Sequence, residues 1–377
     1  MSARLEKVSY LCESCGAIAH KWAGQCVQCE SWNSLREQVV TDRRSFASPE
    51  NNQTMPKRMI LSSVKPNDAN RVSSGLAELD RVLGGGVVEG SAILLGGDPG
   101  IGKSTLALQS ICHLQSSREV LYVTGEESVE QLALRANRLG IDGDGIHVFA
   151  GNEVQAVIRH AREVGARFLV ADSIQTLFHE SIQSAPGTSS QVRECAASLV
   201  AFAKQAGCSV LLIGHVTKEG GIAGPKLLEH LVDTVLYFEG DHSSRFRLVR
   251  AFKNRFGTVN EIGVFAMSKT GLREVENPSS MFLSRGPNEA SGSVVFALQE
   301  ATRPLLVEVQ ALVDDSHLAN PRRICVGFDP RRLAMVLAVL NRHLGLAIVE
   351  RDIFINVAGG IRLSETAADL AIAAALY

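Results

Sequence analysis

The chain has little net charge. Its 38 Lys and Arg against 40 Asp and Glu leave a formal −2 over 377 residues, so no global field draws it to nucleic acid. Any contact with a polyanion must come from local basic patches. It also lacks long apolar runs. The start, MSARLEKVSYLCESCG, has no apolar core and is not a signal peptide. No stretch reaches the roughly 18 apolar residues of a membrane helix, so no membrane association is expected, and the expected location is the cytoplasm. Repeats of solenoid length are missing too. Cysteine is limited to eight residues. In a reducing compartment these read as metal ligands and buried thiols rather than disulfides.

A chain of this length calls for two or three domains. Residues 1–38 are short, polar and cysteine-rich and read as a C4 zinc finger. Residues 39–70 have little periodicity and read as a linker. From 71 to 275 short apolar runs (SAILLGG, EVLYVTG, IHVFA, RFLVADS, CSVLLIG) alternate with amphipathic helical patterns. That alternation predicts an α/β fold with a mostly parallel, buried central sheet. DTVLYFEG, FRLVRAFKN and EIGVFAMSK then read as three strands that extend the sheet in antiparallel fashion. Residues 276–292 read as a second linker, and 293–377 as a third, α+β unit. The chain stops at ADLAIAAALY, within an apparent helix, which reads as an incomplete domain.

Cys12-x2-Cys15 and Cys26-x2-Cys29 have the spacing of two knuckles whose four thiolates converge on one tetrahedral Zn2+. All four positions are protein ligands, which makes the site structural. Gly16 and Gly24 flank the turns as candidates for positive φ, and Trp22 is expected to pack on the metal site. GDPGIGKS, Gly97 to Ser104, matches G-x-x-x-x-G-K-[ST] between an apolar strand and a helix. Gly97, Asp98, Pro99, Gly100, Ile101, Gly102, Lys103, Ser104 and Thr105 are therefore the candidate ATP-binding residues. Backbone N–H groups cradle phosphates there, Lys103 reaches the β- and γ-phosphates, and Ser104 faces Mg2+. RFLVADS ends in Asp172, the Walker B pattern, whose carboxylate holds a Mg2+-bound water. VLYVTGEES ends in Glu126 and Glu127, either of which can deprotonate an attacking water, with Glu126 preferred. His215, at the tip of CSVLLIG, can sense the γ-phosphate. Lys218 and Lys226 in the glycine-rich loop behind it, together with Arg250 and Lys253, are DNA-binding candidates, and QSAPGTSSQ (183–191) is a second polar loop suited to a partner. In AFKNRFG, Lys253 and Arg255 share strand parity and so a face, while Phe252 and Phe256 share the other and are expected to pack.

These pieces together resemble the bacterial RadA (Sms) family, DNA repair proteins of the RecA/DnaB-type ATPase superfamily. The carriers are CESCGAIAHKWAGQCVQCESWNS, SSGLAELDRVLGGGVVEGSAILLGGDPGIGKSTL, LYVTGEES, ADSIQT, IGHVTKEGGIAGPKLLEH and AFKNRFG, with a weaker match in NVAGGIRLSETAADLA. The resemblance covers nearly the whole chain. It implies a RecA-like core in a homo-oligomeric, hexameric ring. Such a ring binds single-stranded and branched DNA, hydrolyses ATP between subunits and drives branch migration alongside the RecA recombinase. In that picture Lys253 and Arg255 reach the neighbour's ATP or couple it to the DNA loops. The last unit resembles the Lon protease domain, but Ala367 stands where the nucleophilic serine would be, and the region for the activating lysine lies outside the chain. A non-proteolytic platform is implied. Thr366 departs from the family's common proline. A KaiC-like ATPase that regulates protein partners shares GLAELDRVLGGG and PGIGKST, yet the zinc knuckle and KNRFG stand against it.

Overall fold

The computed structural model describes residues 7–19, 21–40, 71–114, 119–215, 227–240, 245–283, 291–316 and 320–377. At the N-terminus β1 (Lys7–Cys12) pairs antiparallel with β2 (Ile18–Ala19) and β3 (Leu35–Val40). Among the described side chains Cys12, Cys26 and Leu35 are its buried apolar residues, and a ribbon of this size is too small to rest on core burial alone.

A short ribbon, β4 (Arg71–Val72) with β5 (Val87–Val88), brackets α1 (Ala77–Leu83). There follow β6 (Ala92–Gly97), α2 (Lys103–Leu114), β7 (Val120–Thr124), α3 (Val129–Leu139), β8 (Ile146–Ala150), α4 (Val154–Glu163), β9 (Phe168–Asp172), α5 (Ser189–Ala206) and β10 (Ser209–His215). The last strands of this body are β11 (Thr234–Glu239), β12 (Phe246–Asn254), β13 (Ile262–Ser268) and β14 (Gly271–Glu274). They form one nine-stranded sheet in the order β14-β13-β12-β11-β6-β10-β9-β7-β8. Alternate residues of each strand feed two cores. Ile93, Leu95, Tyr122, Val170 and Ile213 join Leu106 and Ile111 of α2 on one face; Leu94, Val123, Leu169 and Leu212 join Val157 of α4 and Leu199 of α5 on the other. That double burial is why the strands read as continuous apolar runs.

One strand differs from expectation. β11 is parallel to β6, and only β12 turns back antiparallel to β11. The segment between β10 and β11 is long enough for a crossover, whereas a hairpin-length gap separates β11 from β12.

The third body holds β15 (Ser293–Glu300), β16 (Arg303–Asp314), β17 (Arg323–Val326), α6 (Pro330–Leu344), β18 (Asp352–Val357) and α7 (Ala368–Leu376). Its sheet runs β15-β16-β18-β17. Leu305, Val307 and Ile355 pack with Leu333, Leu337 and Ile372 of the helices. Within 276–292, Pro278–Met281 form a 3-10 turn and Phe282 is buried in this same core. Ala367 is the residue before α7, and Arg332 donates to the Ser364 and Glu365 carbonyls beside it.

The end of β12 is held by backbone contact. Asn254 is buried and donates to the Val82 carbonyl, and its own side-chain oxygen accepts from the Phe256 amide at 2.9 Å. A Cβ on Gly257 would meet Gly84 Cα at 2.9 Å, so only glycine allows that approach. Gly257→Ala is expected to cost about 1–3 kcal/mol of stability by overpacking, measured by urea unfolding.

Candidate functional site

The parallel register brings the chemistry to one edge. His215 lies opposite Gly97, and Asp172 lies opposite both Ile213 and Thr124. The phosphate loop, the Walker B carboxylate, the strand carrying Glu126 and the sensor candidate thus share the carboxyl ends of adjacent strands, where open α/β sheets bind ligands.

Within the loop, Gly102 has φ +119° and an added Cβ would lie 2.8 Å from Met267 Cε; a Cβ on Gly97 would lie 2.6 Å from the Phe238 carbonyl oxygen. The glycines let the chain turn tightly enough to aim amides at an anion. Lys103 is buried at the start of α2, and its Nζ donates to the Gly97 and Asp98 carbonyls at 2.8 and 2.9 Å. Burial lowers its pKa, while Asp172, Asp98 and Glu126 oppose that shift. The amine stays 3.2 Å from His215 Nδ1. On the far side of that ring, His215 Nε2 is 3.3 Å from Glu126 Oε1, which also accepts from Ser173 Oγ at 2.7 Å. Lys103, His215, Glu126 and Ser173 form one continuous chain. Glu127 is not part of it. Its carboxylate pairs with Arg135, and its carbonyl accepts from Thr124 Oγ1. The two adjacent carboxylates thus have different neighbours: Glu126 faces the phosphate loop, and Glu127 serves the start of α3. Asp172 accepts from the Tyr122 hydroxyl.

A buried amine, turn amides at a helix start, the Ser104 hydroxyl and the Asp172 carboxylate are the donor set a magnesium nucleotide requires, and the glycine cradle leaves room that a side chain would fill. The residues present fit that ligand.

Sequence reasoning missed Arg247. It lies on β12, buried, with Nε donating to the Ile101 carbonyl at 3.2 Å and Nη1 to the Phe246 carbonyl at 2.8 Å. It thereby ties a phosphate-loop carbonyl to β12. Its only signal in the sequence was an arginine at a buried position of an apolar strand.

The AFKNRFG residues lie elsewhere. Lys253 pairs with Val235 and Asn254 with Thr234, which in turn lies opposite Ile93, four residues before Gly97. At about 3.3 Å per residue this is roughly 13 Å along the sheet from the loop, at its opposite end. Lys253 Nζ donates to the Glu229 and Val232 carbonyls at 2.6 and 2.8 Å, and Arg255 pairs with Asp233 at 2.9 Å while half exposed. Burial and the nearby Arg255 both lower the Lys253 pKa. The two cations do converge, on the segment 229–233. The two phenylalanines do not pack inward as parity implied. Arg247, Val249 and Ala251 take the buried side of β12, so Phe252 falls on the other side with Leu248 and Arg250 and is 55% exposed, edge-on to Tyr237, while Phe256 is half-buried; the register shift at Val235/Leu236 then brings Asn254 inward. Arg250 pairs with Glu239 at 3.6 Å. Lys218 and Lys226 lie outside the described residues. The loop 183–191 is pinned rather than loose: Gln191 is buried and donates to the Ile182 and Ser184 carbonyls at 2.9 Å each.

In the ribbon the Cys12, Cys15, Cys26 and Cys29 sulfurs all lie within 4.8 Å of one another, with 3.6 Å separating Cys12 from Cys29 and Cys15 from Cys26. Four thiols at these distances fit tetrahedral zinc. Burial raises the Cys12 pKa, but the Ser34 hydroxyl and the amides of Cys15 and Ser14 outweigh it and bring the thiol down to about 6. Gly16 has positive φ as expected; Gly24 does not, and Glu30 takes the matching position after Cys29 with φ 56°. Trp22 is 62% exposed and Trp32 72%, so Trp22 does not pack on the metal site. The ribbon is too small to cover an indole.

A glycine-rich phosphate loop on a largely parallel sheet, with a Walker B aspartate and a four-cysteine ribbon, defines a zinc-ribbon P-loop ATPase. Residues 61–221 match the AAA domain model, and residues 10–37 match a rubredoxin metal binding domain. The chain is 54% identical to the DNA repair protein RadA of Pseudomonas aeruginosa over 98% of its length and 82% of the relative's. It is 48% identical to the RadA proteins of Escherichia coli (99% and 83%) and Bacillus subtilis (97% and 81%). The chain belongs to the RadA family of DNA repair proteins. Among solved structures, the KaiC-like protein PH0186 of Pyrococcus horikoshii OT3 is similar at a TM-score of 0.46 and 23% identity, over 55% of this chain and 99% of that one. Among the described residues no helix is long and apolar enough to cross a membrane.

Arg247→Met is expected to weaken ATP binding about tenfold, the scale of a charged hydrogen bond, with little change in melting temperature; binding of a fluorescent ATP analogue checks it. Removal of zinc by a chelator is expected to unfold the ribbon (7–40) and leave the nine-stranded body folded, as limited proteolysis would show.

Proposed function

We propose that this protein hydrolyses ATP at the interfaces of a homo-oligomeric, hexameric ring and uses the cycle to move on single-stranded DNA. It thereby promotes branch migration and the processing of recombination intermediates in the cytoplasm, together with the RecA recombinase. The observation that carries the inter-subunit part is the register of β12. Lys253 and Arg255 sit at the end of the sheet opposite their own phosphate loop, so a phosphate they contact belongs to another subunit. The DNA part follows from the family, whose relatives are named DNA repair proteins.

In this reading Gly97 to Thr105 bind ATP, with Lys103 exchanging the Gly97 and Asp98 carbonyls for β- and γ-phosphate oxygens. Ser104 and Asp172 are the residues that would hold Mg2+, which would neutralise phosphate charge there. Glu126 takes the proton of the attacking water; Ser173 orients its carboxylate, and His215 between Glu126 and Lys103 registers the γ-phosphate. Arg255 of the neighbouring subunit leaves Asp233 and stabilises the charge that develops on the transferred phosphoryl group, an effect on the order of 10³-fold in rate for arginines supplied in trans. Lys253, held by the 229 and 232 carbonyls, couples that site to the loop carrying Lys218 and Lys226, which contacts DNA; Arg250 adds a further cation for the strand. The third body is a non-proteolytic platform, because Ala367 offers no nucleophile.

The test is ATP turnover with and without single-stranded DNA. Lys103→Ala is expected to abolish turnover. Arg255→Ala is expected to lose DNA-stimulated turnover and keep nucleotide binding. Mixed in one ring, the two variants are expected to regain part of the activity, because some interfaces then pair an intact Lys103 with an intact Arg255. No recovery on mixing, or loss of nucleotide binding in Arg255→Ala, would overturn the inter-subunit role. Absence of any DNA effect in the unaltered protein would overturn the motor.

A further inference from the structure

Tyr122 lies in the middle of β7, 1% exposed, inside the core that packs against α2. Its neighbours on β9 are set by register, with Tyr122 opposite Val170 and Thr124 opposite Asp172. The ring is therefore two residues deeper in the sheet than the Walker B carboxylate, and its hydroxyl points along the strands to reach Asp172 Oδ2 at 2.5 Å. A buried tyrosine hydroxyl needs an acceptor, and here the acceptor is a functional carboxylate rather than a backbone carbonyl. The Asp172 carboxylate is the charge this hydroxyl meets directly. Arg135 and Glu127 are the other charges that act on this phenol, and they are paired with each other.

A carboxylate at the end of a strand can rotate about its last torsion, and each orientation presents a different oxygen to the phosphate cradle. With Oδ2 engaged from below, rotation stops and Oδ1 is the oxygen left to face the cradle. Preorganisation of this kind removes an ordering cost from ligand capture.

We propose that Tyr122 is a positioning residue of the ATPase, whose hydroxyl locks Asp172 in the orientation that receives a hydrated divalent cation. The proposal rests on the reading of Asp172 as a holder of the cation's water. It makes metal capture, and not nucleotide capture, the step that depends on Tyr122, because the phenol hydroxyl donates to Asp172 while Lys103 Nζ is engaged by the Gly97 and Asp98 carbonyls and His215.

The experiment uses the full chain with Mn2+ as the probe, its binding to the ADP-loaded protein followed by electron paramagnetic resonance. Tyr122→Phe removes one oxygen and keeps the ring. It is expected to weaken Mn2+ binding about tenfold, the scale of a hydrogen bond to a charged group, and to leave metal-free ADP binding and the melting temperature unchanged. Asp172→Asn is expected to weaken Mn2+ binding at least as much, and Tyr122→Phe added to Asp172→Asn to have no further effect. Unchanged Mn2+ binding in Tyr122→Phe beside a loss in Asp172→Asn would overturn this proposal alone. Unchanged binding in Asp172→Asn would overturn it together with the Mg2+ role of Asp172. An equal loss of metal-free ADP binding would show a merely structural role. A second readout keeps the Tyr122 hydroxyl in place. With Tyr10, Tyr237 and Tyr377 replaced by Phe and the remaining tyrosine fluorinated at C3, its fluorine resonance is expected to shift on addition of Mg2+ and ADP together and not with ADP alone; no shift would overturn the proposal.

Discussion

The hydrogen-bond register between β6 and its parallel neighbours is the constraint on which the site depends. Side chains on adjacent strands meet only if the strand ends align, and a slip of one residue would turn each side chain to the other face. With Gly97 opposite His215, and Asp172 opposite both Ile213 and Thr124, the loop, the acid, the base candidate and the sensor meet without any further device. The two cores enforce that register, because the odd and even residues of each strand are committed to opposite faces by their packing against α2 on one side and α4 and α5 on the other.

That same register separates the phosphate loop from the two cations of AFKNRFG. The carboxyl end of β6 holds the phosphate loop, while β12, running antiparallel beyond β11, delivers Lys253 and Arg255 to the far end. One strand nonetheless touches both regions. Arg247 near its start steadies the Ile101 carbonyl, and Asn254 at its end is fastened beneath Val82.

The zinc ribbon is organised on a different principle. A ribbon of about thirty residues is too small for core burial to supply the stability that the two large cores give the ATPase body. The four convergent thiols take that role, and the exposed Trp22 and Trp32 are left on its surface rather than spent on its interior.

Much of this was legible in the chain itself. The phosphate loop, the Walker B aspartate and the cysteine knuckles are local patterns, in which chemistry and backbone geometry both lie within a few adjacent residues. The alternation of apolar runs with amphipathic segments likewise encodes a buried parallel sheet. What tertiary structure decided is everything that depends on partners distant in sequence. Glu126 and Glu127 are equivalent as letters and differ only because Arg135 captures one while His215 and Ser173 meet the other. β11 reads as the first of three antiparallel strands and proves parallel. Phe252 reads as inward and faces outward, because the buried side of β12 is the one that carries Arg247, Val249 and Ala251. Arg247 and Tyr122 read as ordinary strand residues, and their roles exist only because the sheet sets each beside a group from another strand or loop. Sequence by itself determined the local chemistry and the class of fold, since both arise from short-range periodicity. Tertiary structure alone decided which charged groups are neighbours, since that is set by strand register and burial across more than a hundred residues of chain.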